Sequence, residues 1–251
     1  MKKLFIIVFV VFFIILLVGV FYFQKSKTKM SEVQKVNFIT KDGVTIVANY
    51  YPNKEAKFAG ILIHMRPKTK ESFDDLAQFL QKHGYALLAI DLRGHGESIE
   101  SIKGKLDYNK FSEAEEKESI KDIEAASLFL EKEGYTKDKQ FLIGASIGAN
   151  LSFQFLSENT EISAAVLLSP GLNYRGVVLE NFKKEGIGSK VFVISALDDE
   201  PAYVAGRTLK SWYPDLNYLE LPQGGHGTNL FNTYPDLYEK MLIWLREKLV
   251  I

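Results

Sequence analysis

The chain has 251 residues, 47% of them hydrophobic, with 31 basic and 31 acidic side chains and no cysteine. That length and apolar fraction suit one domain with a single core. The missing cysteine excludes disulfides, a lipid-modified N-terminal cysteine and a thiolate nucleophile.

Residues 4–23 form an uninterrupted apolar run, Leu-Phe-Ile-Ile-Val-Phe-Val-Val-Phe-Phe-Ile-Ile-Leu-Leu-Val-Gly-Val-Phe-Tyr-Phe. At about 1.5 Å per residue such a helix crosses the roughly 30 Å of bilayer hydrocarbon. Residues 1–30 are therefore expected to be a single-pass N-terminal membrane anchor and its linker. Lys2 and Lys3 precede the run, and Lys25, Lys27 and Lys29 follow it. Both ends are basic, so the positive-inside rule sets no orientation. The competing expectation is a cleaved signal and a secreted protein. Against it, the run exceeds the usual signal core of about 7–15 residues, and no Ala-x-Ala-like site follows. Without the five lysines of residues 1–30, 26 basic residues face 31 acidic ones. A mildly acidic body lacks the basic face that a phosphate backbone requires, which argues against nucleic acid as a partner.

Residues 31–251 read as the folded domain. Residues 36–51 alternate around Lys41-Asp42-Gly43, the signal of a hairpin. Beyond it, residues 59–64, 86–91, 140–144, 164–169 and 190–195 are short continuous apolar runs, which suit strands buried on both faces. Helical patterns lie between and after them, at 72–83 closed by Gly84, 113–132 closed by Gly134, 146–157, 201–212 and 235–249. Strand and helix alternation after an antiparallel opening predicts an α/β domain, a mostly parallel sheet with helices on both faces. The 20 residues of 170–189 are too short for a large lid.

Gly144-Ala145-Ser146-Ile147-Gly148 places a serine between an apolar strand and a helix. A serine hydroxyl is a poor nucleophile at neutral pH, so catalysis needs it exposed, beside a base and near backbone donors. The stretch fits the G-x-S-x-G elbow, in which small residues let strand and helix approach through a strained turn. Alone, the pattern is weak. Further along, Val191-Phe-Val-Ile-Ser195 is followed by Asp198 and Asp199, and Gln223-Gly-Gly-His226-Gly lies in a loop before the last helix.

This order of elements and motifs resembles the α/β-hydrolase superfamily of serine hydrolases, including its esterases, lysophospholipases and serine aminopeptidases, over residues 33–251. The resemblance implies a triad of Ser146 as nucleophile, His226 as general base and Asp199 as the acid that orients the imidazole. Asp198 remains the alternative acid, because neighbouring carboxylates after a strand are not separated by pattern. It further implies an oxyanion hole built from the backbone N–H of Ile147 and a second N–H after residues 61–64. Relatives commonly carry His-Gly-x there, whereas this chain has His64-Met65-Arg66. Alignment points to Arg66, with Met65 second. The Arg66 side chain is read as a solvated charge or as a contact for an anionic substrate group. His64 is expected to support the oxyanion loop, and Asp91, Arg93 and His95 to be structural.

Other chemistries find no footing. Gly94-His-Gly96 lacks the third glycine of a dinucleotide loop, Gly186 to Lys190 lacks phosphate-loop spacing, and no H-E-x-x-H or cysteine cluster offers a metal site. The acidic residues 113–118 read as the solvated face of a helix. The expectation is a serine hydrolase without cofactor or metal, acting on small-molecule, possible lipid-derived, carboxylic esters. The alternatives are a peptidase or amidase and a non-catalytic hydrolase-like scaffold that binds a partner.

Overall fold

The computed structural model describes residues 31–249. The expected membrane segment at 4–23 lies outside the described residues. Among those described, no helix is long and apolar enough to cross a membrane.

The chain opens with β1 (Gln34–Ile39) and β2 (Thr45–Tyr51), an antiparallel hairpin closed through Thr40 and Gly43. Next come β3 (Ala59–Ile63), α1 (Asp74–Lys82), β4 (Ala86–Ile90), α2 (Glu113–Lys117), α3 (Ile120–Lys132), β5 (Gln140–Ala145) and α4 (Ile147–Glu158). β6 (Ala164–Leu168) follows, then the two-residue strands β7 (Asn173–Tyr174) and β8 (Val177–Val178), β9 (Val191–Ala196), α5 (Glu200–Trp212) and β10 (Asn217–Leu221). Short α6 (Leu230–Thr233) and α7 (Leu237–Leu249) complete the domain. Eight strands pair in the order β1-β2-β4-β3-β5-β6-β9-β10. β2 is antiparallel to β4, and every pairing from β4 to β10 is parallel.

Alternation along the strands sends successive side chains to opposite faces. Ile61, Ile63, Leu88 and Leu142 pack with Ile123, Ala126 and Leu130 of α3 and Ala149 and Phe153 of α4. Leu62, Leu87 and Ile143 pack with Leu76, Ala77 and Leu80 of α1 and Met241, Leu242 and Leu245 of α7. Each such buried Leu or Ile contributes about 1.5–3 kcal/mol, which explains why these strands read as unbroken apolar runs.

Two elements depart from the sequence expectation. The helix over 113–132 is two helices. Ser112 starts α2 with a capping box to Glu115, and i to i+3 bonds at Ser119, Lys121 and Asp122 interrupt the α-helical ladder before α3. The break turns Glu116 and Asp122 inward, and both are buried, so Glu116 is not on a solvated face. β10 was not expected. It lies at the sheet edge, and its polar sequence Asn-Tyr-Leu-Glu-Leu has none of the apolar continuity of an inner strand. The 170–189 connection holds the β7–β8 hairpin and short 3₁₀ turns rather than a lid.

Closest packing occurs between β3, β5 and α4. A Cβ at Gly148 would lie 2.3 Å from the Ile63 carbonyl oxygen, and one at Gly144 would lie 2.1 Å from the Gly148 carbonyl oxygen. Both obstacles are backbone and cannot swing aside. Gly148→Ala is therefore expected to destabilise the domain by about 3 kcal/mol, the upper range of overpacking, measured by urea unfolding against the unsubstituted chain. Unchanged stability would mean that α4 can move away from β3.

Candidate active site

β5 ends at Ala145, and Ser146 turns the chain into α4 with φ 56° and ψ −119°. A serine with positive φ is unusual and costs on the order of 1–3 kcal/mol, so the surroundings must hold it. The Ser146 N–H donates to the Leu168 carbonyl at 2.9 Å, and the Ser146 carbonyl accepts from Ala149 and Asn150. Every residue of α4 from Ile147 to Ser157 is buried. Ile147 is the first residue of α4, so its N–H has no acceptor within the helix and points with the positive end of the helix dipole.

Gly148 brings this helix end against the His64 carbonyl, 2.9 Å from where a Cβ would stand. The loop after β3 therefore runs beside the start of α4. Its conformation is fixed by His64. The Leu92 N–H donates to His64 Nε2 at 3.0 Å, which leaves the ring proton on Nδ1, and Nδ1 donates to the Met65 carbonyl at 3.0 Å. Met65 is buried and fills the space beneath Gly227, where a Cβ would meet its sulfur at 2.4 Å. The bulk that this chain carries after His64 is thus accommodated by a glycine directly after His226.

The Arg66 side chain is not the solvated charge that was one of its two expected readings. The guanidinium lies 4.6 Å from the Tyr108 ring centroid, donates to the Tyr108 carbonyl, and has Nε 3.3 Å from Glu116 Oε1. It is only 25% exposed, so it is a partnered, packed charge. Behind Tyr108 stacks His95, ring centroids 3.9 Å apart, and His95 in turn meets the His64 ring. Asp91 accepts from Lys70 Nζ and from the backbone N–H groups of Lys70 and Glu97, while Arg93 binds Asp122 and Asp42. Asp91 and Arg93 are thus consumed in structure. The Arg93 guanidinium also holds the Asp42 carboxyl well below the usual carboxylate range, through hydrogen bonds and charge that outweigh the effect of burial.

The structure brings Asp199, not Asp198, to His226. Asp199 Oδ2 is 2.7 Å from His226 Nδ1, and because a carboxylate only accepts, Nδ1 carries the proton and Nε2 is left as the free base position. Asp198 accepts instead from the N–H groups of Gly224 and Gly225 at 3.0–3.2 Å, stapling the loop that carries His226. On the other side of that loop the Gly227 N–H donates to Ser169 Oγ at 2.9 Å. Asp199 is 12% exposed and His226 33%, so the pair opens to solvent on the imidazole side.

Tyr174 packs against the imidazole. Its ring meets His226 edge-on, centroids 5.9 Å apart at 90°. Among the described residues no three His, Asp or Glu side chains gather as a metal-binding group.

A family model described as serine aminopeptidase, S33, matches residues 54–202, more than half of the chain, including Ser146 and Asp199. The chain belongs to the serine aminopeptidase S33 family. No curated protein sequence matches it. Among solved structures, an esterase of Pyrococcus furiosus is similar at a TM-score of 0.69 and 20% identity, over 87% of this chain and 91% of that one. A Butyrivibrio proteoclasticus protein solved with ferulic acid bound is similar at 0.68 and 17%, over 86% of this chain and 100% of that one. A Xanthomonas campestris protein described as an α/β serine hydrolase without a lid is similar at 0.65 and 14%, over 86% and 95%. At these identities the likeness establishes the fold, that of the α/β hydrolases, and the family makes the chain a hydrolase.

Sequence reasoning missed the S33 member's Asn150, Ser169, Glu116 and Tyr174. Asn150 had a local signal, a lone amide one turn into an apolar helix. Its side chain binds both the N–H and the carbonyl of Gly171, and the carbonyl of Val177, fixing the chain on either side of β7. The others act through long-range contacts with no local pattern.

Burial pushes the His64 imidazole down to about 4 from 6.5. The unfolded chain takes up that proton near pH 6.5 and the folded chain only near pH 4, so the stabilising effect is complete above pH 6.5 and drains away as pH falls toward 4. Between pH 7 and pH 5 this group should remove on the order of 2 kcal/mol of stability. Denaturant unfolding at the two pH values should show a smaller drop for His64→Gln than for the unsubstituted chain. Equal drops would rule out His64 as the titrating group.

Proposed function

We propose that this hydrolase cleaves carboxylic esters through an acyl-enzyme, with Ser146 as nucleophile, His226 as general base and acid, and Asp199 as the residue that orients and stabilises the imidazolium. The observation that carries the reading is the 2.7 Å contact of Asp199 with His226 Nδ1, in a domain whose Ser146 stands on a positive-φ turn at the start of a buried helix. In the proposed cycle His226 Nε2 takes the Ser146 proton as Oγ attacks the ester carbonyl, then gives it to the departing alcohol. Water activated by the same nitrogen releases the acid. The backbone N–H groups of Ile147 and Arg66 receive the oxyanion, with Met65 as the alternative donor.

Support for the ester comes from the similar Pyrococcus furiosus structure, described as an esterase. Leu172 and Leu197, close in sequence to Tyr174 and Asp199, are 40% and 56% exposed, and apolar side chains at such positions would suit acyl chains. With a membrane anchor at residues 4–23, this favours small lipid-derived esters such as lysophospholipids or monoacylglycerols. The family's description favours a second reading, an aminopeptidase-like amidase, since the same three side chains cleave either bond. A panel of acyl esters and aminoacyl amides separates the two by relative kcat/KM.

Full-length protein in detergent is expected to react with a fluorophosphonate probe, and Ser146→Ala and His226→Ala to abolish labelling. Asp199→Asn should lower kcat by about 10³–10⁴, the cost of presenting the wrong imidazole tautomer. Asp198→Asn, which loosens only the loop, should cost about tenfold or less. Absence of labelling in folded, unsubstituted protein would defeat the triad and leave the binding scaffold. For residues 1–30, alkaline carbonate should leave the full chain in the membrane fraction. A soluble product starting beyond residue 30 would instead show a cleaved signal and a secreted enzyme.

A further inference from the structure

We propose that Ser169 is a positioning residue for the reaction, its Oγ fixing where His226 stands relative to Ser146. The proposal rests on the reading of Ser146, His226 and Asp199 as the triad. Ser169 directly follows β6, is fully buried and has φ 49°. A residue other than glycine is uncommon in that conformation, which glycine adopts without the clash of a Cβ. Serine adds what glycine lacks, an Oγ, and that oxygen accepts from the Gly227 N–H at 2.9 Å.

The last residue of β6 and the first beyond it are tied to all three segments that carry the triad. The Leu168 carbonyl accepts from the Ser146 N–H at 2.9 Å. The Ser169 N–H donates to the Ile194 carbonyl at 2.9 Å, in β9, and the turn after β9 brings the Asp199 N–H to the Ala196 carbonyl. These ties join backbone to backbone and survive a change of side chain. Only the tie to the His226 loop runs through a side chain, that of Ser169.

The loop has little stiffness of its own. Gly224, Gly225 and Gly227 all have positive φ, so His226 stands between residues that resist rotation least. Gly227 opens a short 3₁₀ turn over 227–229, and its N–H has no acceptor within that turn. Before His226, the Asp198 carboxylate holds the Gly224 and Gly225 N–H groups in an exposed place, where water competes. After His226, the bond to Ser169 is buried, and its loss leaves the N–H without that partner.

In the proposed cycle His226 Nε2 takes the Ser146 proton and hands it to the departing alcohol, so it must lie within reach of two oxygens. A displacement of about 1 Å costs on the order of a hundredfold in such a transfer. Asp199 fixes the ring through Nδ1. Ser169 fixes the backbone that carries the ring. Being fully buried, it does not touch substrate, so its effect falls on kcat.

Steady-state hydrolysis of p-nitrophenyl acetate by the full-length enzyme tests this with Ser169→Ala and Ser169→Gly, which both lose the hydroxyl. Glycine relieves the positive φ that alanine keeps, so urea unfolding should rank the glycine variant as the more stable of the two. Both should nevertheless lose kcat by about tenfold to a hundredfold, to the same extent within about threefold, with KM changed by less than about twofold. His226 moves a proton in acylation and in deacylation, so kcat records the loss whichever step is slower. A kcat that follows stability, near normal with glycine and low with alanine, would make Ser169 a packing residue. An unchanged kcat in both variants, or a loss confined to KM, would deny the hydroxyl a positioning role; each of these results overturns the proposal. If folded, unsubstituted protein fails to label with fluorophosphonate, the triad reading falls first. Normal labelling with unaffected kcat in both variants overturns Ser169 alone.

Discussion

The rest of the site depends on one close approach, that of α4 to the ends of β3 and β5. A helix axis normally stands about 10 Å from a sheet's backbone, separated by side chains. Here Gly144 and Gly148 remove those side chains at the crossing, and backbone meets backbone. The chain can then turn at Ser146 within a single residue, in a conformation that costs on the order of 1–3 kcal/mol. Nothing local offsets that cost, because the Ser146 side chain caps no helical N–H. It is offset by the burial of α4 on all sides, with Leu151, Phe153, Phe155 and Leu156 each removed from water. Relaxing the turn would pull a whole apolar helix out of register with the sheet. The same approach sets the Ile147 N–H beside the loop after β3, so Ser146 and that N–H are placed by one packing event.

Around this apolar crossing lies a polar frame whose centre, Lys70, Asp91, Arg93 and Asp122, is buried. Lys70, 2% exposed, is shared by Asp91 and Glu97, and Arg93 by Asp122 and Asp42. Buried pairs of this kind add little net stability, since desolvation offsets much of the attraction. Removing one partner, however, leaves an uncompensated charge. Their effect is to allow one path for the segment 91–98, and that path delivers the Leu92 N–H to His64. His64 then holds the Met65 carbonyl. The loop after β3 is thus held by a chain of hydrogen bonds reaching from the end of β4.

Legibility in the sequence followed the range of the interactions. Strands buried on both faces announced themselves as apolar runs, because burial acts on every residue of such a strand. The elbow was readable for a related reason, since small residues are needed at fixed offsets from Ser146. His226 was readable from the glycines around it and its place before the last helix. Asp198 and Asp199 were not separable, being adjacent and chemically identical; only the turn after β9 decides that one faces an imidazole and the other two amides. β10 escaped notice because an edge strand needs little apolar surface. Glu116 was misread because its acidic neighbours Glu113, Glu115 and Glu118 resemble a solvated face, and only the break between α2 and α3 turns that one side chain inward. The contact of Tyr174 with His226 spans 52 residues, and no local pattern records it.

The short 170–189 connection bears on how the site is covered. A lid is an inserted domain that moves as a body and is stabilised by its own core. This chain has too few residues there to build one, and uses instead a hairpin of two residues per strand that cannot be stable by itself. Its order is borrowed from α4 through Asn150, from α2 through Arg175 and Glu116, and from Gly176 packed on Glu113 and Lys117. Since Asn150 sits on the helix that begins after Ser146, the hairpin and the Ser146 turn are parts of one assembly. Opening the hairpin would require breaking the three bonds of a buried amide and exposing Glu116. The hairpin therefore holds Tyr174 at a fixed place beside His226 without a body of its own to move.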